Sequence, residues 1–203
     1  NQDFPCTEYQ CKSLGQDCEL INPGTEDALC VWNNPRDNKP PIINAWEDAL
    51  TIGYKYEPDK VSSPPDRGVR VVNENRNDGC VAPWTRLSVG ITLDEPAICK
   101  LSEKPSPSYD KMENRYWSGG ISKQNHSFQF DLPSPEFLES NNITLQNEGE
   151  FVLYTRCIDR NKQANIGSFV FRYCVGKADL TEPQIYFTSI NNNSYVGFGQ
   201  TET

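Results

Sequence analysis

The sequence predicts an all-β fold, a β-sandwich that carries an N-terminal disulfide-rich appendage. Apolar and polar residues alternate with a period of two in several short segments, and helical periodicity is nearly absent. Clusters of turn-forming residues separate these segments. Eight cysteines accompany an apolar content of only 36%, so we expect covalent links to reinforce a small core.

The predicted appendage covers residues 1–61. Its cysteines crowd the first 30 positions, and the Asn- and Pro-rich stretch 33–41 is typical of a loop. A short helix is expected near 45–50, with Tyr54 and Tyr56 docking this region onto the main domain. A Ser/Pro-rich linker at 62–68 marks the boundary.

The predicted main domain covers residues 62–180. Strand alternation begins at Val69 and continues in five later segments, namely 87–93, 98–101, 128–130, 151–157 and 169–174. Segment 98–101 continues this pattern after Pro96. The last stretch, 181–203, is interpreted as an extra edge strand or as the start of a following module.

The N-terminal cysteines favour disulfides over zinc. Their spacing, C-x4-C-x6-C-x11-C, lacks the close ligand pairs of structural zinc sites, and the only histidine, His126, is far away in sequence. Four cysteines allow three connectivities, which spacing alone does not distinguish. The favoured pairing joins Cys6 to Cys18 and Cys11 to Cys30.

The other four cysteines lie in the main domain. Cys99 and Cys157 fall within segments that are predicted to be facing strands, and Cys157 shares the face of Phe151, so its sulfur should point into the core. This bridge would contribute about 4 kcal/mol in the chain-entropy model. Cys80 and Cys174 then remain as a pair outside the core or at a sheet edge.

The eight cysteines and the sequons together indicate an extracellular, cell-surface location. The net charge of −9 argues against nucleic acid as a partner, and no run of about 20 apolar residues could span a membrane. No signal peptide is visible and the chain starts without methionine, so we expect a processed product or an excised fragment. Three Asn-X-Ser/Thr sequons predict glycosylation at Asn125, Asn142 and Asn192.

Several blocks in order resemble immunoglobulin/fibronectin-III-like modules of very large archaeal surface proteins. They are D-E-P-A-x-C within 90–100, Y-D-x-M at 109–112, His126, and R-C-x-D at the end of 149–159. The cysteine spacing from Cys6 also resembles a segment that precedes such modules. The chain departs from the pattern at 159–165, which lacks the usual glycine. The resemblance implies a repeated structural or adhesive module, not an enzyme.

Two ligand sites are candidates. Tyr116 and Trp117 could form an exposed aromatic platform for sugars, although burial of Trp117 is the more ordinary outcome for a tryptophan. Asp94, Glu95 and Asp159 flank cysteine-bearing strands and, with Asn161, could supply oxygen ligands to calcium. The ordinary alternative is that these side chains cap loop amides or meet Arg156.

No catalytic residue, metal or cofactor is predicted. Glutamates are plentiful, but abundance does not place two carboxylates across a bond. They are Glu136, Glu139, Glu148 and Glu150. A cysteine nucleophile would need a base, and His126 sits inside a sequon. We expect a structural or adhesive module that contacts neighbouring modules, or glycans. The alternatives are a filament subunit that donates strand 185–198 and a carbohydrate- or partner-binding domain.

Overall fold

The structure is a computed structural model, and it describes residues 6–113, 115–132 and 150–176. Within these residues, the N-terminal elements are α1 (Glu8–Leu14), β1 (Cys18–Ile21) and β2 (Leu29–Trp32). The remaining strands are β3 (Ile43–Ala45), β4 (Tyr54–Pro58), β5 (Arg67–Asn73), β6 (Arg86–Ser102), β7 (Lys123–Asp131), β8 (Glu150–Ile158) and β9 (Phe169–Cys174). Short 3-10 helices lie at Glu47–Ala49, Tyr109–Lys111 and Trp117–Gly120. The chain is mostly β, as predicted.

Residues 6–32, called the N-terminal cap below, consist of α1 and the antiparallel β1–β2 hairpin. The helix begins in a capping box: the Thr7 hydroxyl accepts from the Gln10 amide, and the Gln10 side chain accepts from the Thr7 amide. Cys11 in the helix is bonded to Cys30 in β2, which confirms this predicted pair. The bridge fastens a seven-residue helix that is too short to be stable alone.

The predicted Cys6–Cys18 bridge is wrong, because both cysteines are free thiols in the structure. Cys6 precedes the helix. Cys18 follows the helix, and its Sγ lies close to Gly15 at the helix C-terminus. A Cβ added to Gly15 would be 3.8 Å from that sulfur. A helix of this length rises by roughly 10 Å, whereas bridged cysteines keep their Cα atoms within about 7 Å.

The other seven strands form one sheet in the order β3-β6-β8-β9-β5-β4, with β7 beside β6. Neighbours are antiparallel except β5 and β9, which are parallel. Strands β3 and β4 lie within the predicted appendage, yet they pair with β6 and β5 of this sheet. The predicted boundary at residue 62 therefore lies in the loop between two hydrogen-bonded strands.

Strand β6 is 17 residues long and connects the two halves of the sheet. Its first part pairs with β3 and β7, and from Ile98 it pairs with β8. The chain stays extended through Pro96, so the predicted segments 87–93 and 98–101 belong to one strand. The register against β7 shifts between Thr92 and Ala97, so the proline, which has no N–H, occupies an irregularity in the ladder.

The apolar face of the sheet encloses a single core, and the sheet is nearly closed. Leu87, Val89 and Ile91 of β6 are fully buried, as their alternation predicted. Trp117 lies at the centre, with its ring centroid 6.1 Å from that of Phe128 and 5.9 Å from that of Phe171. The finer immunoglobulin or fibronectin-III arrangement of strands stays a prediction.

Two disulfides lie in this sheet. Cys99 and Cys157 are register partners in β6 and β8, fully buried, with Cα atoms 4.0 Å apart. The predicted pairing and core-facing direction are confirmed, but the strands are neighbours in one sheet rather than members of two facing sheets. Cys80–Cys174 is also confirmed. It lies outside the core cluster, as expected, with Arg70 Nη2 3.7 Å from the Cys174 Sγ.

Candidate functional site

A groove of about 560 Å³ separates the N-terminal cap from the sheet and is called the cap groove below. One wall is the β1–β2 hairpin and the chain that follows it as far as Asp37. The other wall is the irregular part of β6 around Glu95 and the C-terminal end of β8. Its volume falls in the range of about 300–1,000 Å³ that is usual for ligand sites.

Two isoleucines form an apolar floor in the cap groove. Ile98 of β6 and Ile158 of β8 are register partners and lie one position from the Cys99–Cys157 pair. Because side chains alternate across a strand, the cysteines point into the core and the isoleucines point into the groove. The core disulfide therefore also fixes the spacing of the groove floor.

Trp32 lines the cap side of the groove at the end of β2. Its side chain is 68% exposed, which is unusual for the largest apolar residue. Val31 and Pro96 line the groove as well. Apolar side chains therefore face the groove from both of its walls and from its floor.

Polar contacts fasten the cap at one end of the groove. The Asn22 amide group donates to the Ser122 carbonyl (2.7 Å), and its Oδ1 accepts from the Ser122 N–H (3.0 Å). Lys123 pairs with Asp27, the Nζ–Oδ1 distance being 2.7 Å. Asn22 adopts a positive φ of 51°, a conformation that asparagine tolerates better than most residues.

The opposite end of the groove is fastened by the loop after β8. Arg160 forms an ion pair with Glu19 of β1, and its Nη1 donates to the Leu20 carbonyl (3.4 Å). The Asn161 amide group donates to the Asn34 carbonyl (2.9 Å). Both ends of the cap are thus tied to the sheet, and the groove spans the distance between them.

Three carboxyl groups line the groove, on Asp37, Glu95 and Asp159. Burial, followed by the nearby charges of Asp159, Asp37 and Asp94, raises the pKa of Glu95 to about 7. Burial also raises the pKa of Asp159, although the Gln163 amide donates to its Oδ1 (2.6 Å) and opposes the shift. The groove therefore brings together carboxyl groups whose ionised forms are disfavoured, and a cation beside them would favour ionisation.

The structure brings Glu95 and Asp159 of the predicted calcium ligands close together, but it gives Asp94 another partner. Glu95 and Asp159 are close enough to influence each other's charge, but Asp94 instead accepts the Ile42 amide at Oδ1 (2.7 Å). Asp159 likewise accepts a loop amide, as the ordinary alternative predicted. Arg156 does not meet Asp159; it donates to Ser168 Oγ (3.0 Å). Among the described residues, no group of three or more His, Cys, Asp or Glu side chains is arranged to hold a metal ion.

The predicted aromatic platform is wrong for Trp117. Its side chain is fully buried, and its Nε1 donates to Thr155 Oγ1 (3.2 Å). Tyr116 is 39% exposed and lies 5.5 Å from the Nζ of Lys100, measured to the ring centroid. The 3-10 helix Trp117–Gly120 begins with the buried tryptophan, whereas Tyr116 before it stays partly exposed, so the two aromatic side chains form no common platform.

The residues weighed for catalysis lie in separate environments. His126 is fully buried, with its Nε2 3.1 Å from the Ala97 carbonyl and 3.0 Å from the Lys123 carbonyl, and burial lowers its pKa. Glu150 pairs with Arg70, at 2.8 Å. The other three glutamates, Glu136, Glu139 and Glu148, lie outside the described residues.

Asn125 is the one predicted glycosylation site that the structure describes. It is exposed on β7, and its Oδ1 accepts from the Thr92 hydroxyl (2.7 Å). Asn142 and Asn192 lie outside the described residues, as does the predicted edge strand 185–198. Glycosylation therefore stays a prediction at each sequon.

Sequence reasoning missed the cap groove, although it named two of its acids. The sequence pattern places Trp32 in the cysteine-rich segment and Ile98 in a strand, but neither pattern predicts that the side chain lines a groove. The usable signal was the parity of β6 and β8: Ile98 and Ile158 alternate with the bridged cysteines and must face away from the core.

Comparison with known proteins gives one likeness. No protein-family profile matches the chain, and no solved structure matches it. The Cell growth-regulated gene 1 protein of Candida albicans is 25% identical over 134 residues, which cover 63% of this chain and 36% of that protein. The matched region thus spans about a third of that relative. The resemblance to archaeal surface modules stays a prediction.

In the part of the chain that the structure describes, no helix is long and apolar enough to cross a membrane. The three disulfides require an oxidising environment and are consistent with a secreted protein.

Proposed function

We propose that this chain is a structural and adhesive module of an extracellular surface protein. The observation that carries the proposal is the distribution of the disulfides. Cys99–Cys157 links the neighbouring strands β6 and β8, Cys80–Cys174 ties the loop between β5 and β6 to the end of β9, and Cys11–Cys30 locks the N-terminal cap. Such cross-links suit a domain that must keep its shape outside the cell, where mechanical load and proteases act on it.

The charge and surface of the chain support the same role. Its net charge of −9 keeps the surface hydrated, and exposed Asn125 offers a site for a glycan. The name of the Candida albicans relative refers to growth regulation and specifies no ligand. It is compatible with a surface component but does not by itself indicate a surface location.

Surface display is the direct test. An antibody raised against the folded chain should label intact cells of the species that makes it, and beads coated with the oxidised chain should adhere to those cells. Beads coated with reduced and alkylated chain are the control and should adhere less. Label that appears only after permeabilisation would contradict the proposal.

Partner binding is the second candidate function, and the cap groove favours it. The groove combines an apolar floor with uncompensated carboxyl groups at the contact between cap and sheet. An adhesive module needs a surface of this kind to recognise its target. A carbohydrate target on Trp117, by contrast, has no support, because that side chain is buried.

A further inference from the structure

The geometry points to the cap groove as a docking site for a protein segment that presents a lysine or arginine side chain, with Glu95 as the residue that receives the cation. This inference rests on the proposed adhesive function and names the chemistry of its partner. It is carried by the unpaired carboxyl groups, the apolar lining and the shape of the groove.

The first argument is that two carboxyl groups in the groove lack cationic partners. Glu95 is partly exposed and forms no hydrogen bond or ion pair with the described residues. Asp159 is 6% exposed, and its Oδ2 is buried without a hydrogen-bond donor among those residues. A buried carboxyl oxygen without a donor is unfavourable, so a ligand that supplies positive charge would be bound favourably.

The one cationic residue among those described that lines the groove does not fill this role. Arg160 lines the same groove, but its guanidinium pairs with Glu19 and with the Leu20 carbonyl of the cap. Arg156 does not line the groove, and its guanidinium donates to Ser168 Oγ and to the Pro107 carbonyl (3.0 Å). Positive charge beside Glu95 therefore has to come from outside the described residues.

The second argument concerns the apolar lining, which selects an organic cation over a metal ion. Calcium prefers six to eight oxygen ligands, and the described residues hold no cluster of three potential ligands. Ile98, Ile158 and Pro96 instead offer a surface for the methylene stem of lysine or arginine. Trp32 adds an exposed aromatic face, against which a cation or an apolar side chain can pack.

The position of the groove supports a protein segment rather than a free amine. The groove runs between the cap and the sheet, and its volume of about 560 Å³ exceeds what a single side chain fills. An extended segment could therefore place alternate side chains, one cationic and one apolar, along its length. The charge complementarity with an acidic chain of net charge −9 would also speed association.

The test uses the complete oxidised chain and a fluorescein-labelled hexapeptide of alternating leucine and lysine, followed by fluorescence anisotropy. The comparison peptide carries acetylated lysines, which keep the methylene stem but replace each ammonium group with a neutral amide. We expect the lysine peptide to bind at least about tenfold more tightly, which is the effect of one charge-assisted hydrogen bond. Equal affinity for the two peptides would overturn the inference.

Variants separate the groove from general acidity of the surface. Glu95→Gln should weaken binding of the lysine peptide about tenfold, whereas Glu113→Gln, which removes one charge from an exposed residue elsewhere, should leave it unchanged. Trp32→Ala should weaken binding severalfold, with exposed Trp84→Ala as its control. Unchanged binding by folded Glu95→Gln, checked by its disulfide map and near-UV spectrum, would overturn the inference.

Failure of this inference differs from failure of the proposed function. If intact cells carry the chain on their surface and Glu95→Gln binds the lysine peptide normally, the groove assignment alone is wrong. If intact cells carry no label, the surface role is wrong, whether or not the chain binds the lysine peptide. Asp159→Asn provides a second variant, and it should also weaken the lysine peptide more than the acetylated one.

Discussion

The N-terminal cap and the main sheet use disulfides for different purposes. In the sheet, Cys99–Cys157 adds to a core that already holds Trp117, Phe171 and many aliphatic side chains. In the cap, Cys11 is buried with little beside Ile21, so the Cys11–Cys30 bridge substitutes for a core. The sheet is therefore a platform stabilised by its core, whereas the cap is a small unit closed by one disulfide, and the groove lies between them.

The largest effect should come from the platform. Trp117→Ala removes the central aromatic side chain and leaves the Thr155 hydroxyl without its donor, so we expect a loss of about 3–5 kcal/mol in the free energy of unfolding. Urea denaturation under oxidising conditions measures it. Trp84→Ala is the exposed control and should cost far less. A loss below about 1 kcal/mol for Trp117→Ala would place the core elsewhere.

The next effect should be confined to the cap. The double substitution Cys11→Ser and Cys30→Ser opens a bridge with a sequence separation of 19, worth about 3 kcal/mol by loop entropy. Hydrogen exchange should show amides of β1 and β2 losing protection while those of β8 and β9 keep theirs. If exchange rose equally in the sheet, the cap and the platform would be one cooperative unit.

A smaller effect should follow from loosening the cap at one end. Asn22→Gly keeps the positive φ that glycine adopts freely, but it deletes both hydrogen bonds to Ser122. We expect the hairpin to open more easily by about 1–2 kcal/mol, read from hydrogen exchange in β1. Thr25→Ala, in the exposed turn of the same hairpin, is the matched control.

Prediction from sequence succeeded where the period of two decides the outcome. The parity of β6, β8 and β9 correctly placed the Cys99–Cys157 sulfurs in the core and Cys80–Cys174 outside it. Parity does not reveal which strand is the neighbour, and this is why Cys99–Cys157 was expected to join two sheets. Nor does the pattern show that 87–93 and 98–101 are one strand, because the irregular ladder that accommodates Pro96 depends on the pairing with β7.

The candidate site was harder to predict, because it is formed by segments distant in sequence. Glu95 and Asp159 were grouped correctly, since Glu95 precedes Cys99 within β6 and Asp159 directly follows β8, the strand of Cys157. Their unpaired state depends on Asp94 turning to the Ile42 amide and on Arg160 turning to Glu19, which no local pattern specifies. Burial of Trp117 likewise depends on a turn whose φ angles at Ser118 and Gly119 are positive.

The smallest effect concerns pH and the groove between the two regions. The pKa of Glu95 is about 7 in the folded chain against an ordinary value of 4.5, because burial and the charges of Asp159, Asp37 and Asp94 disfavour ionisation. Arg160 lines the same groove, but it pairs with Glu19 and so does not offset this shift. The folded state therefore holds this proton more tightly, and stability should fall as pH rises from about 4.5 to about 7.

Glu95→Gln should remove this dependence and raise stability at pH 8 relative to the natural chain. The gain should be at most about 1 kcal/mol, since the carboxyl group is partly exposed and solvent screens its neighbours. Melting temperatures at pH 5 and pH 8 measure it, with Glu113→Gln as control. An unchanged pH profile in Glu95→Gln would show that Glu95 is ionised normally.

The most direct test of the account is a disulfide map of the natural, oxidised chain, made by alkylating free thiols before proteolysis and mass spectrometry. We expect linked peptides that contain Cys99–Cys157, Cys80–Cys174 and Cys11–Cys30, with Cys6 and Cys18 alkylated. Alkylated Cys99 and Cys157 in the native chain would contradict the account, because neither a cross-linked platform nor an oxidising compartment would then be supported.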